Sequence, residues 1–522
     1  MPVSSANMPA PSMGIDAISP AGAMRADRCV YAWNAIPDEL GLRARSGFDE
    51  WLSGLTGGAT GEVRSMMAFA GAAAASSGDR LFATTATGIW NVTAYGGPPS
   101  QIAVFPTVSG DSGYGVSRGC VTAAGHFLAY CDEENGYYLY SESSASWSKV
   151  VGGAGPTEIN GVDPSKLVFV TTHKGRVWFA ERDTANLWYL PAGAIYGTAV
   201  KFAVGALLPH GGTVVGVWSW SYDGGAGPDD LLVIVGSGGD VVVYRGTDPA
   251  SASTWEVKGS WYTGGVPRGR NIAMDSGGEL LLLTLIGVLP LSRLVLGSDP
   301  QDRKIYVTRW VDPIFSALAA QRGTLRGWAL YLHPLDRAIL VAIPTVGGSP
   351  TEQIAISTVT GAATRWRGLP VFSAATWDGL LFFGTADGRV CRTINWLDDG
   401  APVEASVLTA YQTLGDQRWK QIQTIRPIFV GGAANIASTT VARYGYATDE
   451  PAGPSGVGGG GPSAWGSAVW GVSKWGPDYL TTAPIRGASG MGREAAVAVR
   501  WNAIARSTLV GVDVTFTTGG PL

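Results

Sequence analysis

Asp378-Gly379-Leu380-Leu381-Phe382-Phe383, followed by Asp387-Gly388-Arg389-Val390, decides the fold. A Gly/Asp turn opens an apolar run, a second turn follows, and a second apolar run returns. Short β-rich runs flanked by such turns spell a hairpin. Working back toward the N-terminus, the same shape recurs at Asp336–Val341 with Gln353–Ile356 and at Gly278–Leu282 with Gly287–Leu289. It recurs again at Asp230–Ile234 with Asp240–Tyr244, Gly175–Phe179 with Leu187–Leu190, Gly125–Tyr130 with Gly136–Leu139, and Asp79–Ala83 with Gly88–Trp90. The spacing, roughly 40–60 residues, is that of propeller blades. Each blade is a four-stranded sheet, and a ring of blades protects its members' edges. The expectation is an all-β chain whose β-propeller-like body, residues 61–398, holds about six to eight blades.

Composition agrees. Of 522 residues, 74 are Gly and 20 are Trp, and only 15% are charged. The charge fraction is far below the usual ~25%, which excludes intrinsic disorder. Lys+Arg 37 against Asp+Glu 41 gives a net charge of −4. A protein that grips phosphate backbone over a large surface should be basic, so ordinary nucleic-acid binding is not expected. Cys29, Cys120, Cys131 and Cys391 are scattered, and neither a disulfide framework nor a zinc site is expected. Met1–Ala6 carries no basic n-region and no apolar h-region follows it, so no signal peptide is read and a soluble protein made in a cytoplasm is expected.

Outside the hairpins the pattern changes. Val403, Ala405 and Val407 alternate with Glu404 and Ser406, as in a half-buried strand. Ile422–Val430 reads as another strand. Val497, Val499 and Trp501 share one face, and Val510, Val512, Val514 and Phe516 share another, which together read as a terminal hairpin. The expected second unit is a smaller β platform built from both chain ends: residues 1–60, strands in 399–450, and the hairpin in 479–522. Residues 451–478 form a Gly/Pro/Trp-rich loop in which Trp465, Trp470 and Trp475 each precede a glycine. Those indoles are expected to pack on the platform or at a subunit or receptor contact.

Catalytic signals are weak. Gly456–Gly461 matches GxGxxG, but Pro462 and Ser463 follow it, and no helix can place a phosphate at its N-terminus. His126, His173, His210 and His333 stand in no metal motif. Asp132-Glu133-Glu134, Asp229-Asp230 and Asp398-Asp399 are read as solvated loop tips rather than as glycosidase pairs or calcium ligands. No enzyme, cofactor or metal is expected.

Three stretches carry a family resemblance. Thr360–Trp366 with Trp377–Val390 resembles the late propeller segment of tail nozzle proteins of short-tailed bacteriophages, also called tail tubular or packaged-DNA stabilisation proteins. Leu414-Gly415-Asp416-Gln417-Arg418-Trp419-Lys420-Gln421 with Ile425–Phe429 is similar to the strand that follows in that family. Asn34-Ala35-Ile36-Pro37 through Gly41-Leu42-Arg43-Ala44-Arg45-Ser46-Gly47 resembles its N-terminal signature. The resemblance implies a virion protein forming a hexameric ring below the portal and its adaptor ring. Tail fibres or spikes would attach to it, double-stranded DNA would pass through without sequence-specific binding, and the host outer surface could be touched. On that reading Arg43 and Arg45 make charged contacts at the platform or pair with local carboxylates at the surface. DNA must slide through such a tube, and a lumen poor in Lys and Arg would not hold it. The alternative is a propeller module that binds glycans or proteins at a cell surface.

Overall fold

The computed structural model describes residues 3–56, 61–72, 78–223, 228–345, 351–432, 435–456 and 480–519. Each of the seven hairpins supplies the second and third strands of a larger sheet. The first blade runs Ser65–Phe69, Arg80–Thr85, Gly88–Asn91 and Ser100–Val104. The second holds Gly115–Thr122, Gly125–Asp132, Gly136–Ser141 and Ser146–Lys149. The third holds Leu167–His173, Arg176–Glu181, Asn186–Tyr189 and Val200–Ala203. The fourth holds Val214–Asp223, Pro228–Gly236, Asp240–Gly246 and Trp255–Tyr262. The fifth has three strands, Ala273–Ser276, Glu279–Leu283 and Val288–Pro290. The sixth holds Ala329–His333, Ala338–Ile343, Glu352–Ser357 and Ala363–Arg367. The seventh holds Ser373–Trp377, Leu380–Gly384 and Val390–Thr393. First strands of neighbouring blades lie side by side, except that the first strand of the fourth blade meets the second strand of the fifth, and the seventh blade meets the first. The body is a closed seven-bladed β-propeller.

The middle strands show why the apolar runs are continuous. Leu231, Val233 and Val235 enter one core, while the alternate residues Leu232 and Ile234 enter another. Leu381 and Phe383 face one blade gap and Phe382 the opposite gap. A strand buried on both faces has no polar side, so the period-two signal vanishes. Each fully buried Leu, Val or Phe contributes about 1.5–3 kcal/mol. That is enough to offset the ~1–2 kcal/mol cost of ordering its backbone.

Both chain ends join a β-sandwich beside the propeller. One sheet pairs Val3–Pro9, Ala35–Asp38, Gly41–Ala44, Lys420–Gly431, Leu480–Thr482, Arg486–Gly487 and Ser507–Thr518. The other pairs Cys29–Trp33, Ala401–Thr409, Ala495–Ala503 and Ser438–Tyr444. Val403, Val407, Val499 and Trp501 pack against Ile425, Phe429, Val512 and Val514 in one core.

Three boundaries differ from the sequence reading. Residues 1–60 are not all platform: Phe48–Leu52 pairs antiparallel with Val390–Thr393 and supplies the missing outer strand of the seventh blade. The propeller is thus closed by a strand from the opposite end of its sequence. The expected terminal hairpin is absent: Ala495–Ala503 and Ser507–Thr518 pair in different sheets, because three residues turn the chain across the sandwich rather than back beside itself. Val510 does not share the inner face. A register shift opposite Ile428/Phe429 puts Leu509 inward and leaves Val510 half-buried. Trp465, Trp470 and Trp475 lie outside the described residues.

Candidate functional site

Two places gather polar side chains from distant parts of the chain: the weld between propeller and platform, and a cavity on the propeller axis.

The weld is built from the N-terminal signature. Asn34 adopts φ +53°, a left-handed conformation that Asn tolerates better than most residues. Its amide donates to the Glu404 carbonyl at 3.0 Å and its Oδ1 accepts from the Arg367 N–H at 2.7 Å. The Ala35 carbonyl accepts from the Thr364 hydroxyl and the Trp366 indole, at 2.6 and 3.1 Å. Arg45 is fully buried and forks onto both oxygens of Asp398, at 2.8 and 2.6 Å, while also donating to Asn34, Ser46 and Arg367. Arg43 donates to Asp336 at 2.6 Å and stands 3.5 Å from Asp38. A side chain on Gly47 would place its Cβ 2.0 Å from the Leu397 carbonyl oxygen, so only glycine fits there.

Arg43 and Arg45 are therefore neither surface pairs nor groups free for a neighbouring subunit. Their guanidiniums are consumed inside the chain, where five donors in a fixed fork can be saturated at once. The second stretch meets the same region, while the third begins at the far end of the platform sheet. Arg389 reaches Asp387 and Asp399, each at 3.0 Å, and lies 3.7 Å from Glu50 on the closing strand. Lys420 is buried at the start of its strand and donates to the carbonyls of Asp416, Arg418 and Arg493.

Ser46, His333 and Asp336 stand together at the weld and resemble a hydrolytic triad by composition. The Ser46 hydroxyl, however, donates directly to Asp336 at 2.9 Å, His333 Nε2 stands off at 3.4 Å, and all three are buried. Burial pushes the His333 imidazole below its ordinary pKa and keeps it neutral. Burial would raise Asp336, but the Arg43 guanidinium and the Ser46 N–H outweigh it and hold the carboxyl low. The cluster is a structural ion network with no route for substrate.

The axial cavity has a volume of about 660 Å³. It is lined by the loops that enter the first strands of several blades and by turns inside the second and third. Arg64 donates to the carbonyls of Ser109 and Ser112, at 3.0 and 2.7 Å, and pairs with Glu62 at 3.2 Å. Arg326 pairs with Asp111 at 2.7 Å. Arg64 and Arg326 both lie on the Tyr114 ring, at 5.1 and 4.9 Å from its centroid. Burial pushes the Tyr114 phenol up to about 12. Gly269 lets its loop approach the Trp328 carbonyl, which a Cβ would meet at 2.0 Å. The loop thereby sends Arg270 to Glu133 and to the carbonyls of Val214 and Val215.

Asp132 and Glu133 are not solvated tips, whereas Asp399 is exposed. Asp132 is fully buried and accepts from Gly113 N–H, Asn135 N–H and the Tyr130 hydroxyl. Burial would raise the Glu133 carboxyl, but Arg270 and Arg326 keep it low, so it is ionised near neutrality and cannot serve as a general acid. Asp398 is held by Arg45, and Asp230 pairs with Lys174 at 2.7 Å. Among the described residues no group of three or more His, Cys, Asp or Glu is placed to hold a metal ion. No described helix is long and apolar enough to cross a membrane. Arg64, Arg326 and Tyr114 each come singly from a separate loop, and Arg268 and Arg270 share one, so they leave no local motif and escaped the sequence reading.

No family model and no curated protein matches the chain. Among solved structures, it is similar to the computationally designed Ika8 protein, with TM-score 0.35 and 10% identity over 66% of this chain and 99% of that one. It is also similar to the extracellular domain of the putative hybrid two component system BT3049 from B. thetaiotaomicron, with TM-score 0.40 and 12% identity over 66% of this chain and 41% of that one. The propeller assignment rests on the strand pairing and ring closure described above.

Proposed function

We propose that this chain is a structural virion protein, the tail nozzle of a short-tailed phage. One observation supports the reading above the others: the first two of the stretches that resemble that family, hundreds of residues apart, meet where platform joins propeller. Arg43 and Arg45 of the first stretch reach Asp336 and Asp398, Trp366 of the second reaches Ala35, and Lys420 of the third anchors a platform strand. The motif residues are thus spent on holding two units together, as a load-carrying tube wall requires. In this role a hexameric ring sits below the adaptor, carries fibres or spikes, retains packaged DNA and lets it leave on infection. It performs no catalysis and needs no cofactor. A net charge of −4 suits a lumen that DNA crosses without sticking. The test is to mix the purified full-length chain with the adaptor ring of the same virus and weigh the product. A stable complex with several copies of this chain supports the role; absence of any complex contradicts it.

A second reading, a propeller module that binds glycans or proteins at a cell surface, is favoured by the axial cavity. Propellers offer such cavities for ligands, and this one is polar and of ligand size.

A further inference from the structure

Most charged side chains around the axial cavity are spent on one another or, for Arg182, on the carbonyls of Glu134 and Ser165, but three are not. Arg268 is 56% exposed, and its nearest carboxylate oxygen, on Asp111, stands 3.7 Å away. Arg326 already claims that same oxygen at 2.7 Å. Glu134 and Asp183 line the cavity, and neither carboxylate has an ion pair or hydrogen-bond partner among the described residues. The cavity therefore offers one uncommitted guanidinium and two uncommitted carboxylates around a polar hollow of about 660 Å³.

That combination selects a ligand chemistry. A guanidinium fork recognises a carboxylate or phosphate. Free carboxylates are acceptors only, so they ask for hydroxyl or N–H donors. An apolar ligand would strand these groups without partners. A lone inorganic anion would leave most of the volume empty and would leave Glu134 and Asp183 without donors. A polyhydroxylated ring bearing one acid group satisfies all three side chains.

We propose that the axial cavity binds an acidic sugar unit, a hexuronate or a sialate, with Arg268 on its carboxylate and Glu134 and Asp183 accepting from its hydroxyls. The site goes beyond the nozzle role and does not depend on it.

The test is calorimetric titration of the full-length protein, at physiological salt, with D-glucuronate and N-acetylneuraminate. Glucose and inorganic phosphate serve as controls. At least one acidic sugar is expected to bind roughly tenfold or more tightly than either control, and Arg268→Ala should remove that margin. Arg268 carries no close partner, so its replacement should leave the melting temperature unchanged. Should that variant fold poorly, Asp183→Asn replaces it, and a several-fold loss of affinity is expected. No binding of either acidic sugar at millimolar concentration would overturn the proposal. So would phosphate binding as tight as the sugar's, or affinity indifferent to both substitutions.

Discussion

Arg45 shows how one side chain can fix the relation between two structural units. Its guanidinium bridges strands that are far apart in sequence and has no contact with water. Removing one partner of a buried pair leaves the other charge stranded, at about 3–5 kcal/mol. Arg45→Ala is therefore expected to lower stability by about that amount, read as a shift in denaturant midpoint. Arg45→Lys should recover little, because one ammonium cannot span both oxygens of Asp398. His173 provides a pH handle. It is buried against Ser219, with Nδ1 2.8 Å from the hydroxyl, and burial beside Lys174 lowers its pKa from 6.5 to about 4. As pH falls below 6.5 the unfolded chain takes up that proton before the folded one does. Stability is then fully present above 6.5 and is lost toward 4, by at most about 3 kcal/mol from this residue. Denaturation midpoints at pH 7 and pH 4.5 check this, and His173→Asn should flatten the difference. The sequence displayed the spacing of Asn34, Arg43, Arg45 and Gly47 but not their partners. Asp336 and Asp398 lie some 290–350 residues away, and no local pattern records which acid a buried arginine will meet.

At the level of elements, legibility follows burial. The middle hairpins could be read because both faces pack against neighbouring blades and every position in the run is apolar. The first strands could not be read so easily. Gly115–Thr122 is mixed in burial, and Ser65–Phe69 is short. The outer strands were harder still: Ser100–Val104 and Ser146–Lys149 face mostly solvent. The closing strand Phe48–Leu52 was assigned to the platform because nothing local distinguishes an outer blade strand from a sandwich strand. Its role leads to a prediction. A chain shortened to begin at Gly61 leaves the seventh blade without its outer strand and the platform without four of its strands, and should be recovered as aggregate. Likewise, Asp399–Leu522 alone lacks Val3–Pro9, Cys29–Trp33 and Gly41–Ala44 beside its strands. Its amide NMR spectrum should be poorly dispersed; a well-dispersed spectrum would refute the two-ended platform. Gly47→Ala should destabilise the intact chain severely, since the Leu397 carbonyl is backbone and cannot swing aside.

For the whole molecule, the sixth and seventh blades and one sheet of the flanking sandwich form one hydrogen-bonded sheet. The outer strand of the sixth blade pairs with Cys29–Trp33, which pairs with Ala401–Thr409, and Asp398 leads back to Phe48 on the seventh blade. Such a junction resists bending of platform against propeller, which a wall under axial load needs. The charge balance implies that full-length protein should not retain duplex DNA at physiological salt in a gel-shift assay. Hydrolysis of glycan substrates should stay at background, because Glu133 and Asp336 are both committed to arginines. The nozzle role itself is tested most directly by electron microscopy of the full-length protein assembled with its adaptor ring. The account predicts a closed hexameric ring whose channel is wider than a DNA duplex and has few Lys or Arg facing it. A chain that stays monomeric beside the adaptor, or a channel densely lined with basic side chains, would contradict it.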